Sequence, residues 1–332
     1  MNDAARVCVI IAAKNAASTI DVAIRSALKE PVVGEVVVID DGSSDDTAGV
    51  ARRADDGSGR LQIISLAENR GPAAARNRAI EASRSPLIAI LDADDFFFPG
   101  RFTPMLAESG WDFIADNIAF TGKATDVDEP VHFQPRARAI STVEFLEGNI
   151  SKPGVRRGEI GFLKPVMRRD FLDEHGIRYN ESLRLGEDYD LYLRALIKGA
   201  RYKVIEHCGY GAVVRADSLS GQHRTEDLYR LCEADRAILQ GTDLPPDIAA
   251  LLRRHERHIR DRYALRAFLD TKKQQGAGAA IVHLLQRPGA FSAVAGGIFR
   301  DKTQAMRRAR AVEPAPLTGL RYLLPGVPVS QK

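Results

Sequence analysis

The chain has 332 residues, 45% hydrophobic and 27% charged, with a net charge of +3, which excludes disordered and fibrous classes and suits one large domain with an appendage or two modest domains. Cys8, Cys208 and Cys232 are odd in number and lack metal-ligand spacing, so a reducing, cytoplasmic setting without a disulfide framework is expected. The first apolar run, Val7 to Ala13, stops at Lys14, too short for a signal-peptide core or a membrane span, so neither secretion nor membrane crossing is expected.

Arg6 to Ala13 reads as a strand, followed by a helix over 15–28 with Ser18 as its cap and Ile20, Ile24, Ala27 and Leu28 at helical spacing. A second strand, Glu35 to Ile39, ends in "DDGSSDDT" before a helix around Thr47 to Arg53. Leu61 to Leu66 is a third strand, "ENRGPAAARNRAIEAS" a helix with Pro72 in its first turn, and Leu87 to Leu91 a fourth strand. Apolar strands alternating with helices predict an α/β protein with a mostly parallel sheet, whose ligands bind beyond the carboxyl ends of the strands. Both acidic clusters, Asp40-Asp41 and Asp92 to Asp95, fall at that edge.

Further on, short strands are expected within Phe113 to Phe120, a short helix closed by Gly176, a helix from Glu187 to Lys198 closed by Gly199, and a strand over Tyr202 to Val214. Largely helical chain then runs to Lys273, where "QQGAGAA" interrupts it. Residues 253–310 carry fourteen Lys and Arg against four Asp and Glu, a segregation that leaves the remainder acidic.

Carboxylates packed as in "AILDADDFFFPGR" repel one another, and burying one without a partner is costly, so a cation is expected against them. In an extended segment Asp92 and Asp94 would point to one side and Asp95 to the other. The competing reading is a turn whose aspartates accept backbone N–H groups, and Asp40-Asp41-Gly42-Ser43 has the same alternative. Glu187-Asp188 opens a helix, where acidic residues are favoured by the helix dipole alone.

Five blocks in order, "VCVIIAAKNAASTIDVAIRSAL", "EVVVIDDGSSDDT", "ENRGPAAARNRAIE", "AILDADD" and "LRLGEDYDLYLRAL", resemble glycosyltransferase family 2 over about residues 5–220. "KPVMRRDFL" and "GEDYDLYLRA" are most similar to bacterial succinoglycan-type exopolysaccharide glucosyltransferases. The resemblance implies the GT-A nucleotide-diphospho-sugar transferase fold. It also implies Mg²⁺ or Mn²⁺ as cofactor and a UDP-sugar as donor, with Asp94 as the direct metal ligand and Asp92 near the ribose or the metal's waters. Asp41 would accept the imide N–H of uracil, with Ala12 and Lys14 bordering the base where the family usually carries Pro and Tyr. Arg76 and Asn77 would sit beside the donor, and Arg215, Ser218 and Ser220, with His223 close behind, in a loop covering the diphosphate. Asp188 would be the base that takes the acceptor's hydroxyl proton, assisted by Glu187, so that the anomeric configuration inverts.

These expectations combine into a catalytic domain over 1–225, a helical basic extension over 226–310 and a tail over 311–332. The activity implied is transfer of a hexose, glucose from UDP-glucose first, to a lipid-linked oligosaccharide in exopolysaccharide synthesis at the inner membrane face. The alternatives are another UDP-sugar with a different acceptor, or a non-catalytic nucleotide-sugar-binding scaffold. In the extension, Ile248, Leu251, Leu252, Ile259, Tyr263 and Leu265 form an apolar stripe opposite a cationic face, suited to an anionic membrane surface or to packing on the catalytic domain. His255 and His258 read as part of that solvated basic face rather than as a metal pair, and nothing resembles a nucleic-acid-binding module.

Overall fold

Strands buried on both faces need apolar residues at every position, and the N-terminal half supplies them. The computed structural model describes residues 7–122, 136–150, 160–214, 224–298 and 320–324. It opens with β1 (Val7–Ala13), α1 (Ile20–Leu28), β2 (Val33–Asp40), α2 (Thr47–Arg53), β3 (Leu61–Ser65), α3 (Pro72–Ala82) and β4 (Leu87–Ile90). β1 lies between β2 and β4 and is parallel to both, and β3 extends the parallel array beyond β2. The carboxyl ends of β1, β2 and β4 therefore deliver Lys14, Asp41 and Asp92 to one edge.

α1 starts at Ile20 rather than Asn15, and Ser18 does not cap it. Asn15 has a positive φ of 49°, and the amides of Asn15, Ala16 and Ala17 donate to Ser43, to Thr47 at the start of α2, and to Asp45. Those N–H groups serve the neighbouring loop, so the helix begins after them.

Next come β5 (Phe96–Phe97), α4 (Phe102–Ala107), β6 (Phe113–Thr121), β7 (Ala137–Ile140), α5 (Thr142–Asn149), β8 (Val166–Arg168), α6 (Arg169–Glu174), α7 (Glu187–Ile197) and β9 (Tyr202–Val213). β6 is one nine-residue strand, not several short ones. Three-residue β8 was invisible in the sequence, yet it inserts antiparallel between β4 and β6 and turns the array from parallel to mixed. Beyond it β6 and β9 run parallel, and β5 and β7 pair antiparallel with β9.

The three phenylalanines after the aspartates explain how the turn is anchored. Phe96, Phe97 and Phe98 are all buried, and the Phe96 ring lies so close over Gly211 that a Cβ there would meet it at 2.3 Å. Arg101 stacks on Phe97 with its guanidinium 4.6 Å from the ring centroid and pairs with Asp116 at 2.8 Å, both side chains having no exposed surface. Asp116 also accepts the Gly209 amide, and Arg101 donates to the Lys164 carbonyl. One buried ion pair thus ties together α4, β6, β9 and the segment before β8.

Asp95 points into this core. Its carboxyl accepts from the Tyr210 hydroxyl and the Val213 amide, and burial, reinforced by the negative charges of Asp92 and Asp94, pushes its pKa well above the usual carboxylate range.

Contacts divide the chain into two units, residues 1–216 with 319–332, and residues 217–318. In the first, β10 (Arg321–Tyr322) pairs antiparallel with β6, and Asn117 holds both backbone groups of Leu324. Part of the segment read as a tail is therefore a strand of the sheet. The second unit contains α8 (Thr225–Gly241) and α9 (Pro246–Leu285), the latter broken at Gly276, where φ is 88°, within the stretch expected to interrupt it.

The α9 stripe packs on α8. Ile248, Leu252 and Ile259 are buried with Leu228, Leu231 and Ile238, and the pairs Asp235–His255 and Tyr229–Tyr263 recede along the two helices in the antiparallel sense. His255 is accordingly not on a solvated face. It is buried with Nδ1 2.7 Å from Asp235 Oδ2, because its position in the helical period falls between Leu252 and Ile259.

Two outcomes test this account. Arg101→Met leaves the Asp116 carboxylate buried without its cation and should lower stability by about 3–5 kcal/mol, read as a lower urea midpoint at unchanged slope; adding Asp116→Leu should recover part of the loss. For Asp95, a raised folded-state pKa contributes stability below the unfolded value of about 4, lost as pH rises through the folded value. Asp95→Asn should therefore gain stability relative to the parent as melts move from about pH 5 to 8, and a constant difference would contradict the assignment.

Candidate active site

The segment after β4 is a turn rather than an extended strand, since the Asp95 amide donates to the Asp92 carbonyl at 3.0 Å. Asp92 and Asp94 are both partly exposed, whereas Asp95 is buried. The expectation that Asp95 diverges from the other two holds, but through a turn, not through strand alternation.

Asp92 is engaged by two cations. Its Oδ1 accepts from Arg76 at 2.9 Å, and its Oδ2 lies 2.9 Å from Lys164 Nζ. Burial would raise the Asp92 pKa, but Lys164 and Arg76 outweigh it and hold the carboxylate well below the usual range. Arg76 also donates to Glu187 Oε1 at 2.8 Å, and Lys164 to Asp188 Oδ2 at 2.8 Å. Burial opposes charge on both cations, yet Asp188 and Asp92, joined at Arg76 by Glu187, more than compensate and raise both pKa values. Arg76, Asp92, Glu187 and Asp188, chosen from separate parts of the sequence, thus meet in one cluster.

Lys164 was not singled out in the sequence although it lies within "KPVMRRDFL". Its signal was a cation between Leu163 and Pro165, beside a strand whose apolar residues are buried.

The two oxygens of Asp188 differ. Oδ2 is held by Lys164, whereas Oδ1 is buried, accepts no hydrogen bond among the described residues, and lies 3.6 Å from Arg76 Nη1. The Tyr179 hydroxyl belongs to the same surroundings, and burial together with the Asp188 charge raises its pKa. Asn77 faces away from the cluster, exchanging hydrogen bonds with the Tyr179 backbone and donating to Glu181.

At the ends of β1 and β2, Lys14 Nζ donates to the carbonyls of Asp41 and Gly42 at 3.3 and 2.9 Å. Ala12 is in register with Ile39. Both Asp41 oxygens accept backbone amides, from Arg70 at 2.7 Å and Gly71 at 2.8 Å, so this carboxylate organises the start of α3, the helix that carries Arg76. Gly42 is required here, with φ at 65° and the Glu68 backbone 2.8 Å from where a Cβ would stand. Arg184 runs alongside Gly71, exposed and forming no ion pair among the described residues. Arg215, Ser218, Ser220 and His223 lie outside the described residues.

Among the described residues no three His, Cys, Asp or Glu side chains converge as a metal site. Asp94, partly exposed at the turn after β4, offers hard carboxylate oxygens of the kind a divalent cation such as Mg²⁺ takes.

Comparison with known proteins agrees with this geometry. The model of "Glycosyl transferase family 2" matches residues 8–175. The chain is 62% identical over 331 residues to the succinoglycan biosynthesis protein ExoU of Rhizobium meliloti (strain 1021), covering 98% of this chain and 97% of that one. Its identity to ExoO of the same organism is 32% over 291 residues, 85% and 82% of the two chains. Among solved structures, S. aureus TarS 1–349 superposes with a TM-score of 0.59 at 17% identity over 97% of this chain and 100% of that one. A second TarS structure, in complex with UDP-GlcNAc, gives 0.58 at 19% identity over 81% and 74%, so the fold is the GT-A glycosyltransferase fold. With the family model, the near-full-length relative and the fold in agreement, the chain is a glycosyltransferase and belongs to family 2.

Proposed function

We infer that the chain is an inverting hexosyltransferase of exopolysaccharide synthesis, taking glucose from UDP-glucose and placing it on a lipid-linked oligosaccharide. The observation that carries this reading is the Asp188 carboxylate, with Oδ2 fixed by Lys164 and Oδ1 buried and accepting no hydrogen bond among the described residues. The names of the two Rhizobium meliloti relatives support the exopolysaccharide setting.

Lys164 anchors the carboxylate so that Oδ1 is aimed, and the acceptor hydroxyl passes its proton to Oδ1 as its oxygen attacks the anomeric carbon. The bond from that carbon to the diphosphate breaks on the opposite face, and the configuration inverts. Asp94 would hold the divalent cation, which when bound neutralises charge on the departing diphosphate. Asp92, its charge already satisfied by Arg76 and Lys164, instead fixes the position of the turn that presents Asp94. Lys14 and Asp41 border the base, and exposed Arg184 at the start of α3 adds positive charge on the phosphate side. Arg215 is assigned to the same donor by sequence alone.

Two measurements follow. Asp188→Asn should keep UDP affinity while sugar transfer falls by about 10²–10⁴-fold; transfer at the parental rate would remove Asp188 from the mechanism. Calorimetric titration of UDP should show binding strengthened by Mn²⁺, and Asp94→Ala should abolish the metal-dependent part. Parent protein that binds no UDP under either condition would overturn the donor assignment.

A further inference from the structure

Four of the exposed large apolar side chains of the second unit fall within residues 281–291. Past the break at Gly276 the helix resumes with "AGAAIVHLL", residues 277–285. One face of this stretch is internal: Ala280 is fully buried, and Leu284 lines a cavity with Tyr263, Phe268 and Arg287. On the outer face Ile281 and Val282 are each 54% exposed and Leu285 is 71% exposed. Phe291, just after the turn at Pro288–Ala290, is 60% exposed. Single exposed apolar residues are ordinary, but a helix apolar on both faces with its outer face uncovered is not.

The charge around this stretch is cationic. Lys272 and Lys273 precede it, exposed and forming no ion pair among the described residues, and exposed Arg287 follows it, its guanidinium donating to the Tyr263 hydroxyl. The sequence from 253 to 310 has a surplus of ten positive charges. Apolar side chains beside exposed cations complement the acyl boundary and anionic headgroups of a bilayer. A second copy of the chain on the same face would bring like charges together.

We propose that the knuckle formed by residues 277–291 is the surface by which this protein docks on an anionic lipid bilayer. Ile281, Val282, Leu285 and Phe291 enter the acyl boundary, while Lys272, Lys273 and Arg287 meet headgroup phosphates. This places the contact after the kink, not on the α9 stripe, which α8 occupies. The proposal rests on the lipid-linked acceptor for its purpose, but its test does not.

Flotation of the full chain with vesicles of phosphatidylcholine alone, or of equal parts phosphatidylcholine and phosphatidylglycerol, tests it. Binding is expected only to the anionic vesicles, weakened by salt, and reduced at least about tenfold in a triple Ile281→Ser, Leu285→Ser, Phe291→Ser variant. The variant should melt as the parent does and keep its UDP titration, since only exposed side chains change. A parent chain that fails to float, or a triple variant that floats equally well, would overturn the proposal. So would a concentration-dependent dimer abolished by the same substitutions, which would assign the face to a second copy. Vesicle binding without UDP binding would remove the donor reading and leave this one standing, and the converse would do the reverse.

Discussion

Three carboxylates from two distant parts of the chain occupy one small volume because two buried cations sit among them. Without Arg76 and Lys164, the charges of Asp92, Glu187 and Asp188 would oppose the approach of α7 to the end of β4; at an effective dielectric of about 20, two unit charges 4 Å apart interact by about 4 kcal/mol. With the cations present, each acid has a partner within 2.9 Å. The same contacts that allow the cluster to assemble fix the position of the Asp188 carboxylate, so the energetics of the fold and the placement of that group cannot be altered separately.

Support for that arrangement reaches into the core by two routes. Asp41 organises the first turn of α3, which carries Arg76. The Arg101–Asp116 pair holds the carbonyl of Lys164, fixing the backbone from which its ammonium reaches the acids. Both anchors are charged groups in the interior, which is costly unless every partner is in place, and such networks favour one arrangement over near alternatives.

Much of this was legible in the sequence where the signal was local. Continuous apolar runs in β1, β2 and β4 required covered faces, and their ends identified one edge and its acids. Pro72, the "LGED" helix start and the break near Gly276 were likewise local. What could not be read depended on distance along the chain. Lys164 is anonymous until Asp92, 72 positions before it in the numbering, is folded against it. β8 is too short to show a period, and the turn at Asp92–Asp95 is set by the pull of Tyr210 and Val213 on Asp95. His255 was the avoidable error, since it shares its helical face with Leu252 and Ile259, and a histidine between two core positions belongs to the core.

The return of residues 320–324 to β6 makes the second unit an insertion between two parts of the first. Shortening the chain after the helices would not simply trim an end. It would take away the strand that Asn117 clasps and uncover an edge of β6.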